Sequence, residues 1–239
     1  MPEPEIHVYD SEDALREGLR KYLVDIIEET RKNGQVVTVG LSGGSMPSTV
    51  GPVLIDLKDT VDWTNVRLFV VDERMVEIND PDSNTGAYLK QLPDCIKKSF
   101  INYGPIDDIE VCAKNYEAKL KSSATTAEDS WPMFSVLFLG HGDDGHTCSL
   151  FPNHPLLKFD SSWVAAIEDS PKPPPRRITI TLPVINHAQH VAFISKGQSK
   201  AKIIKAIIKD KNEALPAAQV RPTSNYVSWF LDKAAASDL

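Results

Sequence analysis

Three apolar runs in this chain each end in a cluster of glycine and polar residues, and that pattern constrains the fold more than any other feature. Val36–Leu41 runs into Ser42-Gly43-Gly44-Ser45, Val66–Val71 into Asp72-Glu73-Arg74, and Val136–Leu139 into Gly140-His141-Gly142-Asp143-Asp144-Gly145-His146. Continuous Val/Leu/Phe runs of this length read as strands buried on both faces, which is the habit of parallel sheets. In an open α/β sheet, ligands bind outside the carboxyl ends of the strands. An anion loop, an acid–arginine pair and a histidine at three such ends therefore predict a single site.

The segments between these runs carry helix signals. Ile6–Tyr9 reads as a short strand, and Ser11 as the cap of a helix with Glu12 and Asp13 in its first turn. Leu15, Leu19, Leu23, Ile26 and Ile27 form its apolar stripe, and Gly34 suits its end. A second helix starts near Met46-Pro47, where proline suits a first turn. Ser83-Asn84 caps a helix through Ala87–Leu92, and Asn115–Lys121 reads as another. Ser122 to Ser130 is small and polar, hence a surface loop. Strands at Ile178–Leu182 and Val191–Ile194 precede a helix from Ser199 to Lys209, whose inner face is Ile203, Ile204, Ile207 and Ile208. Alternation of this kind predicts an α/β fold, a mostly parallel sheet with helices on both faces, built as a single domain over 1–239.

Composition excludes several classes of function. The 239 residues carry a formal net charge of -7, which argues against nucleic acid or an anionic membrane as partner. No apolar stretch approaches the roughly 20 residues of a membrane span. The start, Met1-Pro2-Glu3-Pro4-Glu5, lacks the basic and apolar regions of a signal peptide. Cys95, Cys112 and Cys148 show neither pairing nor metal-ligand spacing, which predicts a reducing, cytoplasmic setting. Nothing in the composition fixes the oligomeric state; a monomer is compatible with it. An anionic ligand would have to be drawn in locally against the overall field, and Arg74, Arg176, Arg177 and Lys200 are the candidate cations.

Each cluster has competing readings. Paired glycines at Gly43-Gly44, with Ser45 before a helix start, let backbone N–H groups approach an anion; the alternative is a tight turn. Gly40-Leu41-Ser42-Gly43-Gly44 also matches a G-x-S-x-G nucleophile elbow, making Ser42 a candidate esterase nucleophile. That elbow here follows one of the first strands, without a preceding oxyanion segment. Asp72 can orient a histidine or hold a ligand hydroxyl, and Arg74 can contact an anion or oxyanion, unless the acids are merely solvated and the arginine pairs with them. His146 ends a flexible, glycine-rich loop, and a group with a pKa near 6.5 accepts and returns protons near neutrality. Asp144 can orient its ring. Metal ligation by His141, Asp143, Asp144 and His146 fits no known ligand spacing. Cys148, two residues from His146, reads as buried filler rather than a nucleophile. Ser170-Pro171-Lys172-Pro173-Pro174-Pro175-Arg176-Arg177 reads as a stiff entry that aims an arginine inward, Arg177 more naturally than Arg176, or as a polyproline ligand. Lys200 opens a helix, where a cation opposes the dipole unless an anion lies near.

Taken together, Leu41–Pro47, Asp72–Arg74 with Asp82-Ser83-Asn84, Gly140–Pro152, Ser170–Asn186, Gly197–Lys200 and Leu215-Pro216-Ala217-Ala218 stand in the order found in 6-phosphogluconolactonases. The chain resembles that family over nearly its whole length, and its animal-type members most. The resemblance implies a modified Rossmann-like sheet. It also implies metal-free hydrolysis of 6-phosphoglucono-δ-lactone to 6-phosphogluconate, a step of the oxidative pentose phosphate pathway. It makes His146 the catalytic histidine, Arg74, Arg177 and Lys200 the substrate-holding cations, and Gly43-Gly44-Ser45 the phosphate loop. His141 stands where many members have methionine, and Met46 where threonine is frequent. The related glucosamine-6-phosphate deaminases/isomerases share the glycine loop, the acid pair and the Asp-Gly-His motif. They carry a glutamate five residues after the histidine, and here that position is Phe151. No cofactor is implied, since hydrolysis needs no electron carrier and the glycine loop lacks a G-x-G-x-x-G fingerprint.

Overall fold

The computed structural model describes residues 3–127 and 129–239. Met1, Pro2 and Glu128, which enter the readings above, lie outside the described residues.

Among the described residues, six strands form the central sheet: β1 (Glu5–Tyr9), β2 (Val37–Leu41), β3 (Val66–Val70), β7 (Val136–Leu139), β10 (Val191–Ser195) and β11 (Val227–Asp232). Their order is β1-β11-β10-β7-β2-β3, and every neighbouring pair is parallel. Successive side chains of a strand face opposite sides, so each apolar run feeds two cores. Val136 and Phe138 join one core, while Leu137 and Leu139 join the other. The first core is covered by α1 (Glu12–Lys32) and α2 (Met46–Asp56), with α3 (Asn84–Leu89) and α4 (Asp94–Lys97) beside them. The second is covered by α5 (Ile109–Ser123), α6 (Leu182–Asn186) and α7 (Ala201–Ile208). This is the α/β, Rossmann-like arrangement read from the sequence.

Helix α1 shows how the sequence dictates its element. Ser11 Oγ accepts from Ala14 N–H at 3.1 Å, acids occupy the first turn, and Leu15, Leu19, Leu23, Ile26 and Ile27 are all buried. Fully burying each such side chain contributes about 1.5–3 kcal/mol. Gly34 takes φ +69 just past the helix end, a conformation that glycine adopts at little cost. No described helix is long and apolar enough to cross a membrane.

Several boundaries differ from the sequence reading. Asp108 accepts from Glu110 and Val111 N–H groups, so α5 starts well before Asn115. Its end takes up Ser122 and Ser123. Beyond it, β5 (Thr125–Thr126) pairs with β6 (Pro132–Met133), so the segment expected as loop carries a small hairpin. The strand expected at Ile178–Leu182 is β9 (Arg177–Ile180), and it does not join the parallel sheet. It sits in a separate antiparallel sheet, β4-β9-β8, between β4 (Asp72–Arg74) and β8 (Val164–Ile167). Val71 makes the corner. Its N–H donates to Leu41 in the main sheet, and its carbonyl accepts from Ile180 in the small one.

Strand β2 leads outward to β3, while β7 lies on its other side and leads on toward β10 and β11. The chain therefore departs in opposite directions from neighbouring strands β2 and β7, and a crevice opens between such loops.

Candidate functional site

The crevice is a cleft of about 490 Å³. The loop after β2 supplies Ser42–Met46, β4 supplies Asp72 and Arg74, the loop after β7 supplies Gly140–Gly142, His146 and Cys148, β9 supplies Arg177, and the end of β10 supplies Ser195, Lys196 and Lys200. The structure thus brings together Gly43, Gly44, Ser45, Asp72, Arg74, His146, Arg177 and Lys200 around one space. Asp144 stands behind His146.

The glycine loop owes its shape to two local demands. Gly44 takes φ +64, and a Cβ on Gly43 would fall 1.8 Å from Asn84 Oδ1. Ser45 starts α2 without a side-chain cap, Met46 N–H donates to the Gly43 carbonyl at 3.1 Å and Pro47 has no N–H, so the amides of Gly43, Gly44 and Ser45 are the donors without a partner among the described residues. Open amides in a glycine turn that leads into a helix start favour an anion.

The acid pair divides its work, and neither carboxylate is solvated. Glu73 is fully buried and accepts from the N–H groups of Arg74, Asn84 and Thr85, fixing the start of α3. Burial pushes its carboxyl pKa up, with these amides pulling the other way. Asp72 accepts from Ser149 Oγ at 2.7 Å and Asn84 Nδ2 at 3.4 Å. Its carboxylate is therefore held by Ser149 and Asn84, and His146 takes its carboxylate from Asp144. Arg74 donates through Nη1 to the Asp82 carbonyl, while its buried Nε has no partner among the described residues.

His146 and Asp144 form a hydrogen-bonded pair. Nδ1 of His146 lies 2.5 Å from Asp144 Oδ1, so Nδ1 carries the proton and Nε2 keeps its lone pair. The loop is closed by Gly142 N–H to the His146 carbonyl at 2.9 Å and Thr147 Oγ1 to the Gly140 carbonyl at 2.9 Å. The ring rests 4.7 Å from that of Phe151, which in turn packs 5.7 Å from the Arg177 guanidinium. Phe151 thus fills the space beside His146 with an apolar ring. Burial lowers the His146 pKa, opposed by Asp144 and assisted by Lys172, whose Nζ is 3.6 Å from Asp144 Oδ1. The imidazole is consequently neutral at physiological pH. The acid limb of kcat/KM is expected below the ordinary histidine value near 6.5. Lys172→Met should move it upward, because a cation that disfavours imidazolium is gone. A pH–rate profile checks both; a wild-type limb at or above 6.5 would show that the ring is not held neutral.

Arg177 is the inward arginine, 2% exposed, whereas Arg176 is exposed and reaches the Asp107 carbonyl. Much of Arg177 is already engaged. Nε donates to Pro174, Nη2 to Lys172 and Pro173, and Nη1 more weakly to Ser149 Oγ. The proline-rich segment is therefore a loop clamped onto Arg177. Lys200 precedes α7 as its cap residue, in a 3₁₀ turn over Gln198–Lys200, and pairs with Asp143, the anion its helix position required.

The competing readings fare differently. Ser42 Oγ accepts from Gly140 N–H at 3.4 Å, while His146 Nδ1 is turned to Asp144. Cys148 is buried with its thiol pushed well above the ordinary range, so it carries no thiolate near neutrality. Among the described residues, no three His, Cys, Asp or Glu side chains converge as a metal-binding group. His141 packs against Trp229, and burial pulls its pKa down to about 4. Lys196 and Asn84 also border the cleft, and the sequence does not mark either as a site residue by its local pattern. Lys196 directly follows an apolar strand, so the strand-end rule was the available signal. Asn84 shows in the sequence as a helix start and, within Asp82-Ser83-Asn84, as part of the family pattern.

A family model for glucosamine-6-phosphate isomerases/6-phosphogluconolactonase matches residues 10–229. The chain belongs to this family. Among similar relatives, the 6-phosphogluconolactonase of Bos taurus is 43% identical over 211 residues, spanning 85% of this chain and 81% of that protein. The solved 6-phosphogluconolactonase of Trypanosoma brucei superposes with a TM-score of 0.81 at 27% identity, covering 99% of both chains. A monomeric glucosamine-6-phosphate deaminase superposes with a TM-score of 0.78 at 19% identity, covering 98% of this chain and 100% of that one, and so shares the fold alone. Both solved proteins thus share one scaffold with this chain.

Proposed function

We propose that this chain hydrolyses 6-phosphoglucono-δ-lactone to 6-phosphogluconate, the lactone-opening step of the oxidative pentose phosphate pathway. The observation that carries the reading is the Asp144-oriented His146 with a free Nε2 on a cleft also lined by the Gly43–Ser45 amides and Lys200. A lactone is an ester, so water must attack C1 and the ring oxygen must leave. His146 Nε2 takes a proton from the attacking water, Asp144 stabilises the imidazolium that results, and the same proton passes to the departing alkoxide. Arg74 supplies positive charge to the cleft as the carbonyl oxygen becomes anionic. The remote phosphate is held by the amides of Gly43–Ser45, by Lys200 and by the remaining Nη1 hydrogen of Arg177. Anchoring it converts binding energy into orientation of C1 at His146. The three cysteines are free, which suits a reducing cytosol.

The test is a lactone hydrolysis assay with and without the 6-phosphate, run beside glucosamine 6-phosphate. The phosphorylated lactone should be preferred by about 10–100-fold in kcat/KM, the worth of one or two charge-assisted hydrogen bonds. Turnover of glucosamine 6-phosphate without lactone hydrolysis would overturn the reading. Lys200→Ala should raise KM for the phosphorylated lactone by about tenfold while changing kcat little. An unchanged KM would remove Lys200 from the phosphate end.

A further inference from the structure

Four cations line the cleft: Arg74, Arg177, Lys196 and Lys200. Three are accounted for above. Lys196 is not, and it stands directly after β10, on the turn that leads to Lys200.

Its backbone is held firmly. The next residue, Gly197, has φ +92, and its N–H donates to both carboxylate oxygens of Asp232 at 3.0 Å. The side chain is 28% exposed, and its Nζ donates to Glu12 Oε1 at 2.6 Å. Glu12 lies in the first turn of α1 and is 67% exposed. A half-solvated pair of this kind contributes little to stability, because water screens it and both side chains lose freedom. A phosphate monoester carries about -1.5 to -2 charges near neutrality and offers three acceptor oxygens. It is therefore a stronger partner for an ammonium than one solvated carboxylate. The neighbouring cations leave room for this role. The Nε and Nη2 hydrogens of Arg177 hold backbone carbonyls, and Arg74 gives an Nη1 hydrogen to Asp82. Lysine stems can swing where these clamped guanidiniums cannot.

We propose that Lys196 is an additional phosphate-binding residue, paired with Glu12 and passing to the substrate phosphate on binding, so that Glu12 acts as a competing anion. The inference rests on the lactonase reading for the identity of the substrate, but the phosphate contact can be measured without it.

The experiment uses Lys196→Met, Lys196→Arg, Glu12→Gln and the double variant Lys196→Met/Glu12→Gln in the full chain. Two quantities are read: Kd for inorganic phosphate by calorimetry, and the kcat/KM ratio of phosphorylated to unphosphorylated lactone. Lys196→Met should weaken phosphate binding and lower the ratio, each about tenfold, as expected for one charge-assisted contact. Lys196→Arg, which keeps the charge, should restore most of both. Glu12→Gln should tighten phosphate binding by about two- to fivefold, the range open to a weak surface pair. That gain should vanish when Met occupies position 196. An unchanged phosphate Kd in Lys196→Met overturns the proposal. So does a Glu12→Gln effect that persists without the lysine, because Glu12 would then act through the general field. If the wild type binds phosphate but hydrolyses no lactone, the lactonase reading fails, while the phosphate Kd series still decides the role of Lys196.

Discussion

His146→Ala is expected to lower kcat for the phosphorylated lactone by about 10²–10⁴-fold, the usual worth of a positioned acid–base group. KM should change little, because the anchoring groups sit on other elements: α2 and its loop, the end of β10, and β9. The size of the effect follows from the shortage of substitutes. His141, the other cleft histidine, has its pKa pulled down to about 4 by burial, and its Nε2 is buried without a partner among the described residues. A base that weak cannot relieve an attacking water of its proton at the same rate. The carboxylate of Asp72 is held by Ser149 and Asn84. Single-turnover rates at saturating substrate check the prediction, with thermal unfolding as the control for folding. A fall of less than tenfold would remove His146 as the base.

Gly142→Ala is expected to be nearly as damaging, although Gly142 brings no chemistry of its own. A Cβ there would lie 2.1 Å from His146 Nδ1 and 2.5 Å from Asp144 Oδ1, in the space across which the pair meets. Real Cβ atoms do not approach other atoms so closely, so the imidazole or the carboxylate must move aside. Either shift breaks the 2.5 Å contact that fixes the tautomer and aims Nε2 at the cleft. A misplacement on the order of 1 Å at a reacting group costs about 10²-fold. The loss should appear in kcat, with phosphate affinity retained, and the histidine titration should move as the carboxylate partner is withdrawn. Wild-type kcat in Gly142→Ala would mean that the pair is not needed in its observed geometry.

Much of this arrangement could be read from residue order. Val36–Leu41, Val66–Val71 and Val136–Leu139 are buried on both faces, so their composition carried the signal for a parallel sheet whatever their neighbours. Ser11, Ser83 and Gly34 act within a few residues of themselves, and local signals of that kind survive in a bare sequence. The convergence of three strand ends followed from a general property of parallel sheets: all their carboxyl ends lie along one edge. Features that residue order does not decide depend on contacts with distant segments. The segment at Ile178–Leu182 reads as one more strand, yet β9 pairs with β4 and β8 and leaves the main sheet. Glu73 reads only as the middle of an acid–acid–arginine cluster, yet its carboxylate accepts from the Asn84 N–H and caps a helix 11 residues later in the chain. Lys196 carries no local signal of a site until its strand end is placed on the cleft.

The amino-acid sequence by itself determined the α/β class, the two-faced burial of the strands and the family, because each depends on composition and spacing along the chain. Only the tertiary structure decided which arginine turns inward, which carboxylate serves His146, and which cations share the cleft. Those outcomes depend on distances between segments up to 184 residues apart, as for Glu12 and Lys196. Hydrogen bonds need contact at about 3 Å and screened charges act over about 10 Å, so both depend on spatial neighbours, which chain order does not specify.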